Sequence, residues 1–265
     1  RSGGYLLGPT IAAALLLVFE PSTVFTAIGL LSSCALLPVL LLKKISHPKH
    51  SRVTFRKQTT EAFHAGIKTP ELWLAGSLEC VVYLGIYATK TFLPLYALES
   101  GISILWVGLF FSTQELIHLI GRPIGGRLSD HLGYLPVAAS GMLLAAFAMG
   151  LMPLLQSPLS LLMLAIVFGL SQALIFPSTL ALFAENMDAR HTGAGAGMIG
   201  ALKNSAKVAG PILGGLLINW QSYAWMFWSM SILLVLWSLG LIHNVLSKKT
   251  LNPPREYGRA LTVNP

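Results

Sequence analysis

Residues 158–184 read Pro-Leu-Ser-Leu-Leu-Met-Leu-Ala-Ile-Val-Phe-Gly-Leu-Ser-Gln-Ala-Leu-Ile-Phe-Pro-Ser-Thr-Leu-Ala-Leu-Phe-Ala, without one charged side chain. As a helix rising about 1.5 Å per residue, this run exceeds the roughly 30 Å needed to cross a hydrocarbon layer. Seven more apolar stretches of similar kind accompany it, at about 1–19, 23–42, 71–98, 103–122, 133–154, 192–218 and 222–246. None shows the alternating ten-residue pattern of a membrane barrel, and a helix satisfies its own backbone in lipid. Composition agrees: 54% of the 265 residues are hydrophobic and 11% charged, against about a quarter charged in soluble domains. The expected fold is all-α, a polytopic transmembrane helical bundle of about eight transmembrane helices.

A formal net charge of +8 would suit nucleic acid, but its distribution points elsewhere. Lys43, Lys44, Lys49, Arg52, Arg56, Lys57 and Lys68 fill one connection, Arg122 and Arg127 another and Arg190 a third, while Lys248, Lys249, Arg255 and Arg259 fill the tail. The alternate connections, around Glu20, around Glu99, at Gln156-Ser157 and at Trp220-Gln221, carry no Lys or Arg. Because basic residues gather on cytoplasmic loops, the long basic connection and the C-terminus are expected in the cytoplasm. The chain then reads as a multi-pass protein of a plasma (inner) membrane, with the lipid bilayer as partner and no nucleic acid. Cys34 and Cys80 lie inside apolar segments, imply neither a disulfide framework nor a metal site, and read as packing residues.

Two segments repeat a pattern of small residues. Gly4-Tyr-Leu-Leu-Gly8-Pro9-Thr-Ile-Ala12-Ala13 aligns with Ala206-Lys-Val-Ala-Gly210-Pro211-Ile-Leu-Gly214-Gly215, the kind of self-similarity found in transporters built from repeats. Glycine removes bulk and proline removes a backbone hydrogen bond, so each pair eases bending and close packing of a membrane helix. Eighteen residues, Thr192 to Ala209, precede the later pair in its segment and only seven precede the earlier. The first helix is therefore expected to be cut near Arg1, which the alignment places on Lys203. The run Gly193-Ala-Gly195-Ala-Gly197-Met-Ile-Gly200 has no strand before it, and Lys203-Asn204 does not supply a phosphate loop's ending. It reads as a small-residue helix face, and no cofactor is expected.

The stretch Gly121-Arg-Pro-Ile-Gly125-Gly126-Arg127-Leu-Ser-Asp130-His131-Leu-Gly133-Tyr134 resembles the cytoplasmic loop motif of the major facilitator superfamily, in its copy between helices eight and nine. Gly8-Pro9 and Gly210-Pro211 resemble that family's glycine-proline motif of helices five and eleven, the former best known from drug and proton antiporters. Phe92-Leu-Pro94-Leu-Tyr96 and Pro177 are similar to prolines common in helices seven and ten. The resemblance covers all but the tail and implies a major facilitator-type twelve-helix fold, N-terminally truncated, holding helices five to twelve. Residues 1–42 are then the last two helices of the N-terminal bundle, 43–70 a basic cytoplasmic linker, 71–247 a C-terminal six-helix bundle and 248–265 a cytoplasmic tail. The missing N-terminal helices of the same transporter become its partners. For the loop motif the resemblance implies a gate: Gly126 and Gly133 permit close approach, and Asp130, beside Arg127, offers a carboxylate to a helix N-terminus. His131 stands where the family prefers Arg or Lys, and Tyr134 and Leu135 replace its usual basic pair. A plain turn, with Asp130 capping a helix or pairing with Arg127, is the alternative.

An ionisable group at mid-membrane costs about 2.5–3.5 kcal/mol, which makes each one a functional candidate. These are Glu79 and Lys90, Glu115 and His118, and Lys203 and Lys207. Lys90 returns three turns on to nearly the face of Glu79, whereas Lys203 and Lys207 are i,i+4 neighbours that repel and call for something acidic nearby. Lys203, Lys207 and Asn204 are expected to face a central cavity. Glu115, with Glu79 second, is the expected carrier of a coupling proton, and His118 one turn away relays it or packs. Structural ion pairs or snorkelling lysines are the plainer readings.

No His-Glu-x-x-His pair, no Gly-x-Ser-x-Gly elbow and no carboxylate cluster speaks for an enzyme. The resemblance implies a secondary active transporter of a small-molecule substrate, working by alternating access, with proton-coupled efflux as first reading. The alternatives are a proton-coupled uptake symporter for an organic anion, or a non-transporting receptor or assembly protein of the same fold.

Overall fold

The computed structural model describes residues 2–34, 70–154, 157–185 and 192–251. The linker expected over 43–70 and most of the tail lie outside them. Among the described residues, eight α-helices fall in the eight apolar stretches: α1 (Ser2–Leu16), α2 (Pro21–Ser33), α3 (Pro70–Glu99), α4 (Ile104–Leu132), α5 (Tyr134–Leu151), α6 (Pro158–Glu185), α7 (Thr192–Trp220) and α8 (Tyr223–Leu251). No strand occurs among the described residues.

The boundaries follow from local chemistry. Pro21 opens α2, where a missing N–H costs nothing. Ser157 accepts the backbone N–H of Ser160 at 3.2 Å, capping α6. Gly133, at φ +93°, ends α4 and starts α5 in one residue, a conformation a Cβ would strain.

Five helices are long and apolar enough to cross a membrane over the described residues: α3, α4, α5 with the 3₁₀ turn Met152–Leu154, α6 and α8. The architecture is the expected all-α membrane bundle, and the stretch expected over 23–42 continues outside the described residues. Over the described residues, the apolar part of α1, Leu6–Leu16, and the 13 residues of α2 are shorter than these five. Helix α7 has the length but places Lys203, Asn204, Ser205 and Lys207 in one two-turn stretch.

Helices α4 and α6, α6 and α5, α5 and α8, and α3 and α7 pack side by side, α3 also meets α6 and α8, and α1 lies along α4. The shared core holds Phe110, Phe168, Phe227, Met142 and Met149, all fully buried. Outward faces carry Phe147, Met163, Leu180, Ile232 and Leu236, as expected of helices bathed in lipid. Lipid gives no hydrophobic reward for pairing helices, so close backbone contact and interhelical hydrogen bonds must do so. A Cβ on Gly125 would collide with the Ala173 carbonyl oxygen of α6, and one on Gly210 would lie 2.5 Å from the Leu84 carbonyl oxygen of α3. Thr10 of α1 donates to Ser112 of α4 at 2.6 Å, and Tyr223 of α8 donates to Glu99 of α3 at 2.9 Å.

Candidate functional site

Glu79, Tyr83, Tyr87 and Lys90 recur along α3 at intervals that keep them near one face. Against that face α7 sets Lys203 and Lys207, one turn apart. Lys203 Nζ lies 3.5 Å from Glu79 Oε2, and the Thr179 hydroxyl of α6 donates to Glu79 Oε1 at 3.2 Å. The lysines also lie over aromatic faces. Lys203 and Lys207 sit 5.4 and 5.3 Å from the Tyr83 ring centre, and Lys207 and Lys90 sit 5.5 and 5.6 Å from that of Tyr87. Cations alternate with rings along the whole seam, an arrangement stabilised by the negative faces of the rings.

A second polar line follows α4. Gln114 Nε2 donates to Gln172 Oε1 of α6 at 3.0 Å, both side chains being buried, and Gln114 Oε1 and Gln172 Nε2 have no partner among the described residues. One turn on, His118 Nδ1 lies 3.6 Å from Glu115 Oε2, while Arg122 Nε donates to His118 Nε2 at 3.1 Å. The His118 ring rests on Phe176 at 5.3 Å. The two lines meet at a cleft of about 200 Å³ lined by Pro9, Lys90, Phe111, Gln114 and Glu115, room for several waters at about 30 Å³ each. A larger groove of about 670 Å³ between α3, α7 and α8 is lined mainly by apolar side chains such as Leu84, Leu213, Leu216 and Trp220, with Asn219 and Ser229, and by no ionisable group.

The structure thus joins Glu79 to Lys203 and Glu115 to His118, and brings Lys90 to the cleft beside Glu115. Asn204 lies on an exposed face of α7, away from its lysine neighbours. In the loop motif, Gly121 and Gly125 face α6, and the buried Ser129 hydroxyl donates to the Gly125 carbonyl at 2.7 Å, 2.6 Å from Ser178 Oγ. A Cβ on Gly126 would meet only Pro177 among the described residues, at 4.0 Å. Arg127 and Asp130 are exposed on the last turns of α4, no ion pair joins them, and α5 starts without a side-chain cap. Gly210 and Gly214 pack on α3 and Gly215 beside Phe92, whereas a Cβ on Gly8 would meet no described residue within 4 Å. Helix α1 meets α4 instead through Pro9, Thr10 and Ala13 against Gly108. Cys34 is exposed at the end of α2 rather than packed. No metal-binding group of His, Cys, Asp or Glu occurs among the described residues. Tyr83, Tyr87, Gln114, Gln172 and Arg122 were not singled out from sequence, although Tyr83 and Tyr87 stand one and two turns beyond Glu79.

Membrane-length helices with ionisable side chains turned into their seams define an integral, multi-pass membrane protein with a polar interior. The chain belongs to the Major Facilitator Superfamily, whose family model matches residues 2–206 and 77–264. It is 28% identical over 173 residues to the quinolone resistance protein NorA of Staphylococcus aureus (strain Mu50 / ATCC 700699), covering 62% of this chain and 43% of that protein. It is 30% identical over 151 residues to the multidrug resistance protein MdtG of Proteus mirabilis (strain HI4320), covering 52% and 37%. The chain spans less than half the length of these relatives.

Proposed function

We propose that this chain is part of a secondary active transporter that moves a small amphipathic solute by alternating access, driven by protons in the direction of efflux. The observation that carries the reading is the meeting of Lys90, Glu115 and the Gln114 amide at one cleft between α1, α3 and α4, backed by His118. Ionisable groups in lipid-embedded helices survive selection mainly where they move ions or substrates. The relatives named for quinolone and multidrug resistance support efflux as the direction. In this reading the basic 43–70 linker and the C-terminus face the cytoplasm of a cell with this protein in its plasma membrane. Arg127 and Asp130, exposed at the end of α4, are the gate contacts toward the other half of the transporter. Replacing Glu115 by Gln in the whole transporter is expected to reduce pH-gradient-driven transport to the passive level; unchanged transport removes Glu115 from the proton role.

A second reading, proton-coupled uptake of an organic anion, is favoured by the three lysines along Tyr83 and Tyr87. Collapsing the proton gradient in loaded cells separates the two. Accumulation rises if the transporter exports and falls if it imports.

A further inference from the structure

Arg122 donates through Nε to His118 Nε2 at 3.1 Å. A guanidinium has no acceptor and does not deprotonate in proteins, so Nε2 must offer a lone pair. A neutral imidazole carries one proton, which Arg122 thereby assigns to Nδ1, the nitrogen facing Glu115 Oε2 at 3.6 Å. His118 is 4% exposed, while Arg122 is exposed at the basic end of α4. Other elements do not compete for the ring. Helix α6 presents Phe176, Gln172 and Thr179, which do not titrate, with Glu185 at its far end. Helix α3 brings Glu79, Tyr83, Tyr87 and Lys90, α5 only Tyr134 at its start, and α1 no titratable group among its described side chains.

We propose that Arg122 is a latch on the path of the coupling proton, an inference that rests on the proton role of Glu115. With Arg122 docked, Nδ1 already holds a hydrogen and cannot accept one from a protonated Glu115. Nε2 has its lone pair engaged and cannot accept one from water. The ring is closed in both directions. When Arg122 swings away, a water molecule can give a proton to Nε2 while the Nδ1 proton passes to the charged Glu115 carboxylate, which loads Glu115 and leaves the ring as Nε2–H. The reverse transfer, from Glu115 to Nδ1 as the Nε2 proton returns to water, unloads it. Either way one proton moves between Glu115 and water, and the ring carries Nδ1–H, the form that Arg122 binds, when Glu115 is charged. Redocking blocks return. Arg122 is a positioning residue here, acting through His118 one turn before it on α4.

The test reads the tautomer directly. The chain, with ¹⁵N-labelled histidine rings, is placed in lipid bilayers, and the His118 signals are assigned by their loss in His118→Gln. Glu115→Gln, which removes the carboxylate, is expected to keep the Nδ1–H form because Arg122 alone still imposes it. Adding Arg122→Met is expected to move the tautomer ratio toward Nε2–H by about tenfold or more, the equivalent of about 1.4 kcal/mol, whereas adding Arg122→Lys, which retains a donor, keeps Nδ1–H. In vesicles holding the whole transporter, Arg122→Met alone is expected to admit protons without substrate, a leak lost when Glu115→Gln is added. An unchanged tautomer ratio overturns positioning by Arg122, and a shifted ratio without a leak overturns the latch. Neither result alters the flux test of Glu115→Gln alone, so failure of the latch and failure of the transport reading are told apart.

Discussion

The Glu79–Lys203 pair joins α3 to α7 and is open to a double-mutant cycle. Unit charges 3.5 Å apart attract by roughly 5 kcal/mol at an effective dielectric of about 20. Desolvation offsets much of this, since the side chains retain only 13% and 31% exposure, and the net coupling is expected at about 1–2 kcal/mol. The single substitutions are not equivalent. Lys203→Met leaves a short-stemmed carboxylate with only the Thr179 hydroxyl. Glu79→Gln leaves an ammonium that still has the Tyr83 ring and a long stem able to reach water. Lys203→Met is therefore the costlier change, and adding Glu79→Gln to it is expected to recover part of the loss. Reversible unfolding of the chain in mixed micelles with increasing SDS, followed by tryptophan fluorescence, measures all four corners of the cycle. Additivity within about 0.3 kcal/mol would show that proximity here carries no energy and would refute the reasoning.

The same titration tests the helix seams. Gly125→Ala drives a methyl into the Ala173 carbonyl and is expected to cost about 1–3 kcal/mol or more, while Gly126→Ala, with only Pro177 at 4.0 Å, is expected to change stability by less than about 0.5 kcal/mol. Gln114→Leu or Gln172→Leu alone strands a buried amide and is expected to cost about 1–3 kcal/mol, whereas the double replacement is expected to be nearly neutral; equal costs for the pair and the sum of the singles would show that the amides act independently.

The helices were legible because lipid imposes a length and forbids charge, and both are properties of a linear window. The 158–184 run needs no tertiary information to be read as a span. Pairing is different. Glu79 and Lys203 are far apart in sequence, and nothing local says that α7 brings its lysines to α3 rather than to another helix. The need for an acid near Lys203 and Lys207 follows from their repulsion, but the identity of that acid does not. Tyr83 and Tyr87 were hidden by a different cause: aromatic residues in a membrane helix are ordinary, and only the lysines across the seam turn them into cation partners. Gly8 and Gly210 align in sequence, yet only Gly210 packs against a described neighbour, because close packing depends on what lies opposite. Arg122 fell inside a motif whose glycines and acid drew the attention, while its contact with His118 is a plain i,i+4 spacing on one helix.

Charge balance ties the two polar lines together. Among the described residues, Lys90, Lys203 and Lys207 line these seams with Glu79 and Glu115, three ammonium groups to two carboxylates, and Arg122 adds a further cation where it donates to His118. Glu79 is engaged by Lys203. Lys207 meets two rings, at 5.3 and 5.5 Å, and a cation over a ring gains about 0.5–2 kcal/mol. That steadies the charge without cancelling it, since a ring has no formal charge to give. An ammonium has three donors, and rings take up only part of its surroundings. A carboxylate or similar anion on an incoming solute can therefore approach Lys207 without breaking Glu79–Lys203, and its flat apolar part has Tyr83 and Tyr87 beside it. Proton loading of Glu115 would raise the positive excess further and strengthen that attraction, so proton and anion would bind with mutual reinforcement, which by linkage is the behaviour of a symporter. Efflux by exchange requires the opposite sign for an anionic solute and is met more simply by a cation that competes with the proton for Glu115. Under the proposed transport role, replacing Glu115 by Gln is therefore expected to change solute binding with opposite sign for the two readings, which binding measurements on Glu115 and Glu115→Gln compare.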